Sequence, residues 1–123
     1  MKLDFTNEQQ QSIAYLAQCL IKADGVVMPE ENVCWNTIAL KMGWQAEHRE
    51  FPAGYDLSAA TGVLTDMDED HKRFALAFFT MIILADEQIS PEEAEMLHTI
   101  STQAQLPQIA IEDCNSVLEN YLR

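Results

Sequence analysis

The residues best suited to chemistry are four carboxylates in two matching turns. Asp24 precedes Glu31 in Ala23-Asp24-Gly25-Val26-Val27-Met28-Pro29-Glu30-Glu31, and Asp86 precedes Glu93 in Ala85-Asp86-Glu87-Gln88-Ile89-Ser90-Pro91-Glu92-Glu93. Hard cations such as Ca²⁺ and Mg²⁺ take several oxygen ligands and need partial charge neutralisation, which two Asp/Glu pairs could supply. Neither turn has the alternating ligands or the length of an EF-hand loop. The same residues also have a structural use. Ser90 as N-cap, Pro91 as first helical residue and Glu93 two residues later make a capping box, and paired glutamates suit the positive end of a helix. Asp24 and Asp86 are less comfortable. They sit at the negative end of the preceding helix, where a carboxylate is disfavoured by about 0.3–1 kcal/mol. A hydrogen bond to free amides of the turn or of the next helix would compensate, as would a cation shared with Glu31 or Glu93.

Other chemistries find less support. His48, His71 and His98 are far apart, and none stands at ligand spacing from Cys19, Cys34 or Cys114 on one helix face, so no zinc site is expected. Three cysteines without a CxxC pair fit a reduced, cytoplasmic setting. There is no nucleophile elbow, no Walker A sequence and no GxGxxG. The expectation is a protein that is not an enzyme. The alternative is a metal-dependent enzyme using Asp24, Glu31, Asp86, Glu93 and Glu87, which would need a cleft to shift their pKa values.

The elements that must hold these turns read as helices. Thr6 caps the first, with Gln9 placed for a capping box, and Ile13, Leu16, Ala17 and Leu20 form its buried face. It ends near Gly25, which permits a left-handed turn. The second starts at Pro29, carries Cys34 or Trp35, Ile38 and Met42 inward, and stops at Gly43. An irregular connector from Trp44 to Tyr55 is broken by Pro52 and Gly54. A short third helix is predicted from Ser58 to about Leu64. A fourth runs from about Asp68 to Ala85 behind the acidic segment Asp66–Asp70. Phe74, Phe78, Met81, Ile82 and Ala85 form one face of it, and Ala75, Phe79 and Ile83 widen that face, which places it at the centre of a bundle. The fifth begins at Ser90-Pro91 with Leu97, Ile100 and Ala104 inward. The sixth begins near Pro107 and buries Ile111, Cys114, Val117, Leu118 and Tyr121. No segment alternates like a strand.

A chain of 123 residues suits one domain over residues 1–123, and the 48% apolar content argues against disorder. The formal net charge of −13 disfavours nucleic acid and anionic lipid, and suits solubility, cations or a basic partner. The most apolar run, Phe74 to Ala85, is too short to span a bilayer, and Met1 to Gln10 has no apolar signal core, so neither membrane insertion nor export is expected. Trp35, Trp44, Phe51 and Tyr55 lie in or beside the connector, either as an exposed interface or as a cover on the core. Oligomeric state is open.

Shifted by 62 residues, Ile21–Glu31 aligns without gaps on Ile83–Glu93, with Ile, Ala, Asp, Pro, Glu and Glu identical, and Thr37-Ile38 on Thr99-Ile100. Two repeats suggest two helical hairpins packed as a pseudo-symmetric pair. Val27 and Ile89, lone apolar residues in polar turns, are expected to tuck inward.

This doubled turn resembles the TerB-like family (tellurite-resistance protein B), whose domains also occur in membrane-anchored DnaJ-like co-chaperones. The resemblance rests on Ala23-Asp24-Gly25-Val26-Val27 with Glu31 and on Ala85-Asp86-Glu87-Gln88-Ile89-Ser90 with Glu93, and covers Leu16 to about Leu106. It implies an all-α bundle of six to seven helices with two pseudo-repeated hairpins and no established enzymatic chemistry. It also implies a role in bacterial stress responses, protein partners in assemblies at the inner membrane face, and binding of a divalent cation (Ca, Mg or Zn) through acidic residues. The ligands it implies are Asp24, Glu31, Asp86 and Glu93. The sequence departs from the pattern at Glu87, where Gly is expected, and it has no His-Pro-Asp tripeptide, hence no J domain.

Overall fold

The structure is a computed structural model and describes residues 3–23, 25, 29–44, 54–85 and 90–122. Among these residues all regular structure is helical: α1 (Asn7–Ile21), α2 (Pro29–Lys41), α3 (Leu57–Thr65), α4 (Glu69–Ile83), α5 (Pro91–Ala104) and α6 (Ile111–Leu122).

Four of the helices, α1, α3, α4 and α5, begin where a side chain satisfies a free amide. Thr6 and Gln9 form a capping box on α1: the Gln9 amide donates to Thr6 Oγ1 at 3.1 Å and the Thr6 amide to Gln9 Oε1 at 2.9 Å. Asp56 caps α3 by accepting from the Ala59 amide, and Asp68 caps α4 by accepting from the His71 amide, each at 2.9 Å. Ser90, Pro91 and Glu93 open α5 as the sequence predicts. Gly25 and Gly43, just beyond α1 and α2, have φ of 77° and 78°, which L side chains rarely adopt.

The repeat is visible in the packing. α1 and α4 are each 15 residues long, and α1 lies against α3 as α4 lies against α6. The second helix of each hairpin crosses to the other half: α2 packs on α4, and α5 packs on α1. Exchanging α1 with α4, α2 with α5 and α3 with α6 therefore preserves the main contacts. One contact breaks the symmetry. α3 also packs on α5, tied by Thr65 Oγ1 donating to the Gln103 carbonyl at 3.2 Å, whereas α6 makes no comparable contact with α2. α2 thus lacks the cover that α5 has, and Val33 and Leu40, seven residues apart on it, are 62% and 69% exposed.

The core is built on α1 and α4. Ile13, Leu16 and Leu20 from α1 meet Phe74, Phe78, Phe79 and Ile82 from α4, all fully buried. Each such side chain contributes about 1.5–3 kcal/mol on leaving water. Trp35 and Trp44 are buried with them, so they cover the core and form no exposed interface, while Tyr55 is half-buried with its hydroxyl 2.6 Å from that of Ser12. Phe51, Val27 and Ile89 lie outside the described residues.

Two expectations need correction. α6 starts at Ile111, not near Pro107. Gln105 ends α5 in the left-handed conformation (φ 56°), the Leu106 amide turns back to the Ser101 carbonyl at 2.9 Å, and the chain stays non-helical to Ala110. Ile111 consequently occupies the rim of α6 and is 56% exposed, while Cys114, Val117, Leu118 and Tyr121 are buried as expected. α4 ends at Ile83, two residues earlier than the sequence suggests.

Candidate functional site

Among the described residues, Glu31 and Glu93 are the carboxylates that the fold takes out of water, at 1% and 2% exposure. Each is the third residue of its helix, α2 or α5. Pro29 and Pro91 preset the first turn of those helices, and the following two residues carry the acidic side chains to the positive helix end.

Around Glu93 the geometry is explicit. Its amide donates to Ser90 Oγ at 3.0 Å, and its Oε1 accepts from the Ser90 amide at 3.2 Å. Its Oε2 is buried and has no hydrogen-bond partner among the described residues. The comparison with α1 is instructive. There the neutral Gln9 completes the same box, so the box alone does not require a negative charge. A buried anionic oxygen without a donor is costly, and a cation or a donor is what would satisfy it. The donor chemistry at Glu93 therefore fits a hard cation.

Asp24, Asp86 and Glu87 lie outside the described residues, so the proposed partners of Glu31 and Glu93 are not placed. Among the described residues no group of three His, Cys, Asp or Glu side chains converges as a metal site would require. α2 and α5 share no extensive packing interface; α2 packs mainly on α4, and α5 on α3 and α1. No extensive interface between α2 and α5 draws Glu31 and Glu93 together, and each is described in its own turn.

The histidines and cysteines serve other ends. His71 is fixed between Asp68 and the Asp4 carbonyl, and His98 lines a groove described below. His48 lies outside the described residues. Burial pushes the thiols of Cys19, Cys34 and Cys114 up from their ordinary range, so they are weak nucleophiles at neutral pH.

An open groove of about 770 Å³ lies between α4, α5 and the segment leading into α6. Leu76 and Ile83 form one wall, Leu97 and His98 another, and Ile109 and Ile111 the third. Reading the sequence with α6 starting at Pro107 hid this feature, because a helix there would have turned Ile111 inward. No helix among the described residues is long and apolar enough to cross a membrane.

No protein-family model matches the sequence, and no curated protein matches it significantly. The fold is similar to the crystal structure of a protein of unknown function from Porphyromonas gingivalis W83, with a TM-score of 0.80 and 20% identity over 98% of this chain and 94% of that one. The likeness extends over nearly the whole of both chains and establishes the all-helical fold.

Proposed function

We propose that this chain is a non-enzymatic TerB-like adaptor of a bacterial stress response, which binds protein partners and is tuned by a divalent cation held in its acidic turns. The observation that carries the cation part is Glu93 Oε2, buried at a helix start with no donor among the described residues. The resemblance of the doubled turn supplies Asp24 and Glu31 as ligands of one turn, and Asp86 and Glu93 as ligands of the other. The adaptor part draws support from the apolar groove between α4, α5 and α6, and from the bare face of α2 with Val33 and Leu40. The net charge of −13 favours basic partners.

Calorimetric titration with Ca²⁺, Mg²⁺, Mn²⁺ and Zn²⁺ tests the cation. Saturable binding that is lost in Asp24→Ala or Asp86→Ala is expected. Heat that is absent, or unchanged in both variants, removes the metal from the reading. The adaptor is tested by pull-down with wild-type protein, Ile111→Asp and the double variant Val33→Asp with Leu40→Asp. A partner released by one of these exposed-site variants is expected. If every captured protein binds all three alike, the adaptor reading fails.

A further inference from the structure

His71 stands in the first turn of α4 with both ring nitrogens engaged. Nδ1 is 2.6 Å from Asp68 Oδ1, and Nε2 is 2.7 Å from the backbone carbonyl oxygen of Asp4. Both partners are acceptors. A neutral imidazole has one N–H and one lone pair, so it can serve only one of them and would turn its lone pair on the other. The imidazolium, which donates from both nitrogens, satisfies both.

The second bond reaches 67 residues back along the chain. Asp4 belongs to the segment Leu3–Phe5, which lies across α4 ahead of α1. Phe5 is 8% exposed, and its ring meets His71 edge-on at 4.6 Å, Phe74 at 5.3 Å and Trp44 at 5.5 Å. The segment is held by His71 at the Asp4 carbonyl, by Gln10 Nε2 donating to the Phe5 carbonyl at 2.9 Å and by the buried side chains of Leu3 and Phe5, and it covers Trp44 and Phe74.

We propose that His71 is a proton-operated latch: the imidazolium clasps the Leu3–Phe5 segment to α4, and loss of its proton weakens that clasp and raises the population in which the segment lifts from the aromatic surface beneath. The carboxylates beside the ring favour the closed form. Asp68 and Asp70 of α4 face it with negative charge, and from α6 the Tyr121 hydroxyl donates to Asp70 Oδ1 at 3.3 Å, with Arg73 acting on that hydroxyl. From the covering segment the ring meets the Asp4 carbonyl and the Phe5 ring. Partial burial opposes the charge, but the Asp4 carbonyl, the Asp68 carboxylate and the field of Asp70 outweigh it and hold the ring above the ordinary histidine range. A group whose pKa is raised in the closed form contributes fully below its free value and loses that contribution as pH rises through its closed-state value. The latch therefore opens towards alkaline pH.

The test is chymotryptic cleavage after Phe5, measured from pH 6 to pH 9 and normalised at each pH to a free peptide of the same sequence. Cleavage through a transient opening follows the population of the open form. Nitrogen NMR of the ring supplies its protonation state in parallel. Two protonated ring nitrogens are expected at pH 6. Normalised cleavage should rise by up to about tenfold per pH unit between the free histidine value and the midpoint of His71, then level off. His71→Gln should cut faster at pH 6 with no rise. Asp68→Asn keeps the N-cap acceptor while removing the charge, and should move the midpoint down. A ring carrying one proton at pH 6, or wild-type cleavage that stays flat across the midpoint, overturns the latch. Wild-type titration alone decides this, and circular dichroism of the variants shows whether the helices persist.

Discussion

Trp35 of α2 lies flat against Phe78 of α4, with ring centroids 5.3 Å apart and planes 11° from parallel. The stack joins the second helix of the first half to the first helix of the second half. With the buried Ile38 and Ala39, it holds α2, whose Val33 and Leu40 are exposed, on the bundle. Trp44 and Phe74 extend the same aromatic cluster towards Phe5.

Trp35→Ala should therefore cost about 3–5 kcal/mol, the usual range for removing a large buried aromatic side chain. Val33→Ser, two positions away on the exposed face, should stay within about 0.5 kcal/mol of wild type. Urea unfolding midpoints at constant m-value measure both. Equal effects would show that α2 packs through a different face.

Glu93→Gln separates the cap from the charge. Gln9 already completes the box on α1, so the amide should preserve the start of α5. In chelator the variant should unfold at or slightly above the wild-type urea midpoint, while Ser90→Ala loses about 0.5–2 kcal/mol. Any cation binding seen by calorimetry should weaken in Glu93→Gln. A large loss of stability in chelator would mean that the carboxylate charge itself supports the turn.

Gln105 is the only non-glycine residue with positive φ among the described residues, at 56°. Gln105→Gly relieves a conformation that costs an L residue about 1–2 kcal/mol, at the expense of greater freedom in the unfolded chain. A net gain of about 0.5–1 kcal/mol in thermal or urea unfolding is expected. Gly43→Ala imposes the reverse strain at φ 78° and should destabilise. Opposite signs for the two substitutions are the check.

The thiols should react slowly. Burial raises all three, and the thiolate is the reactive form. Iodoacetamide at pH 7.5 should label Cys19 and Cys34, which are half-buried, faster than the fully buried Cys114, and all three slower than free cysteine. Labelling of Cys114 at the rate of the other two would reveal opening of α6.

Much of the fold was legible because helix starts and stops are local. Thr6 with Gln9, Ser90 with Glu93, Pro29, Pro91, Gly25 and Gly43 act on amides and carbonyls within one turn, so their meaning can be read from a few neighbouring residues. The buried faces of α1 and α4 followed from helical spacing of apolar residues, and the doubled turn announced the pseudo-symmetry. The start of α6 was not legible, since Gln105 lacks the glycine that normally marks a left-handed helix end.

The tertiary structure alone decided which helix meets which. That α2 crosses to α4 and α5 to α1, that Trp35 stacks on Phe78, and that Glu31 and Glu93 are buried all depend on contacts between distant segments. His71 shows the division most clearly. Its place beside Asp68 and Asp70 was written in the acidic entry to α4, but the Asp4 carbonyl that completes its hydrogen bonds comes from 67 residues away. Sequence patterns report energies that act along a few residues of chain, whereas such pairings are chosen by the packing of the whole core, in which shape and burial outweigh separation in sequence.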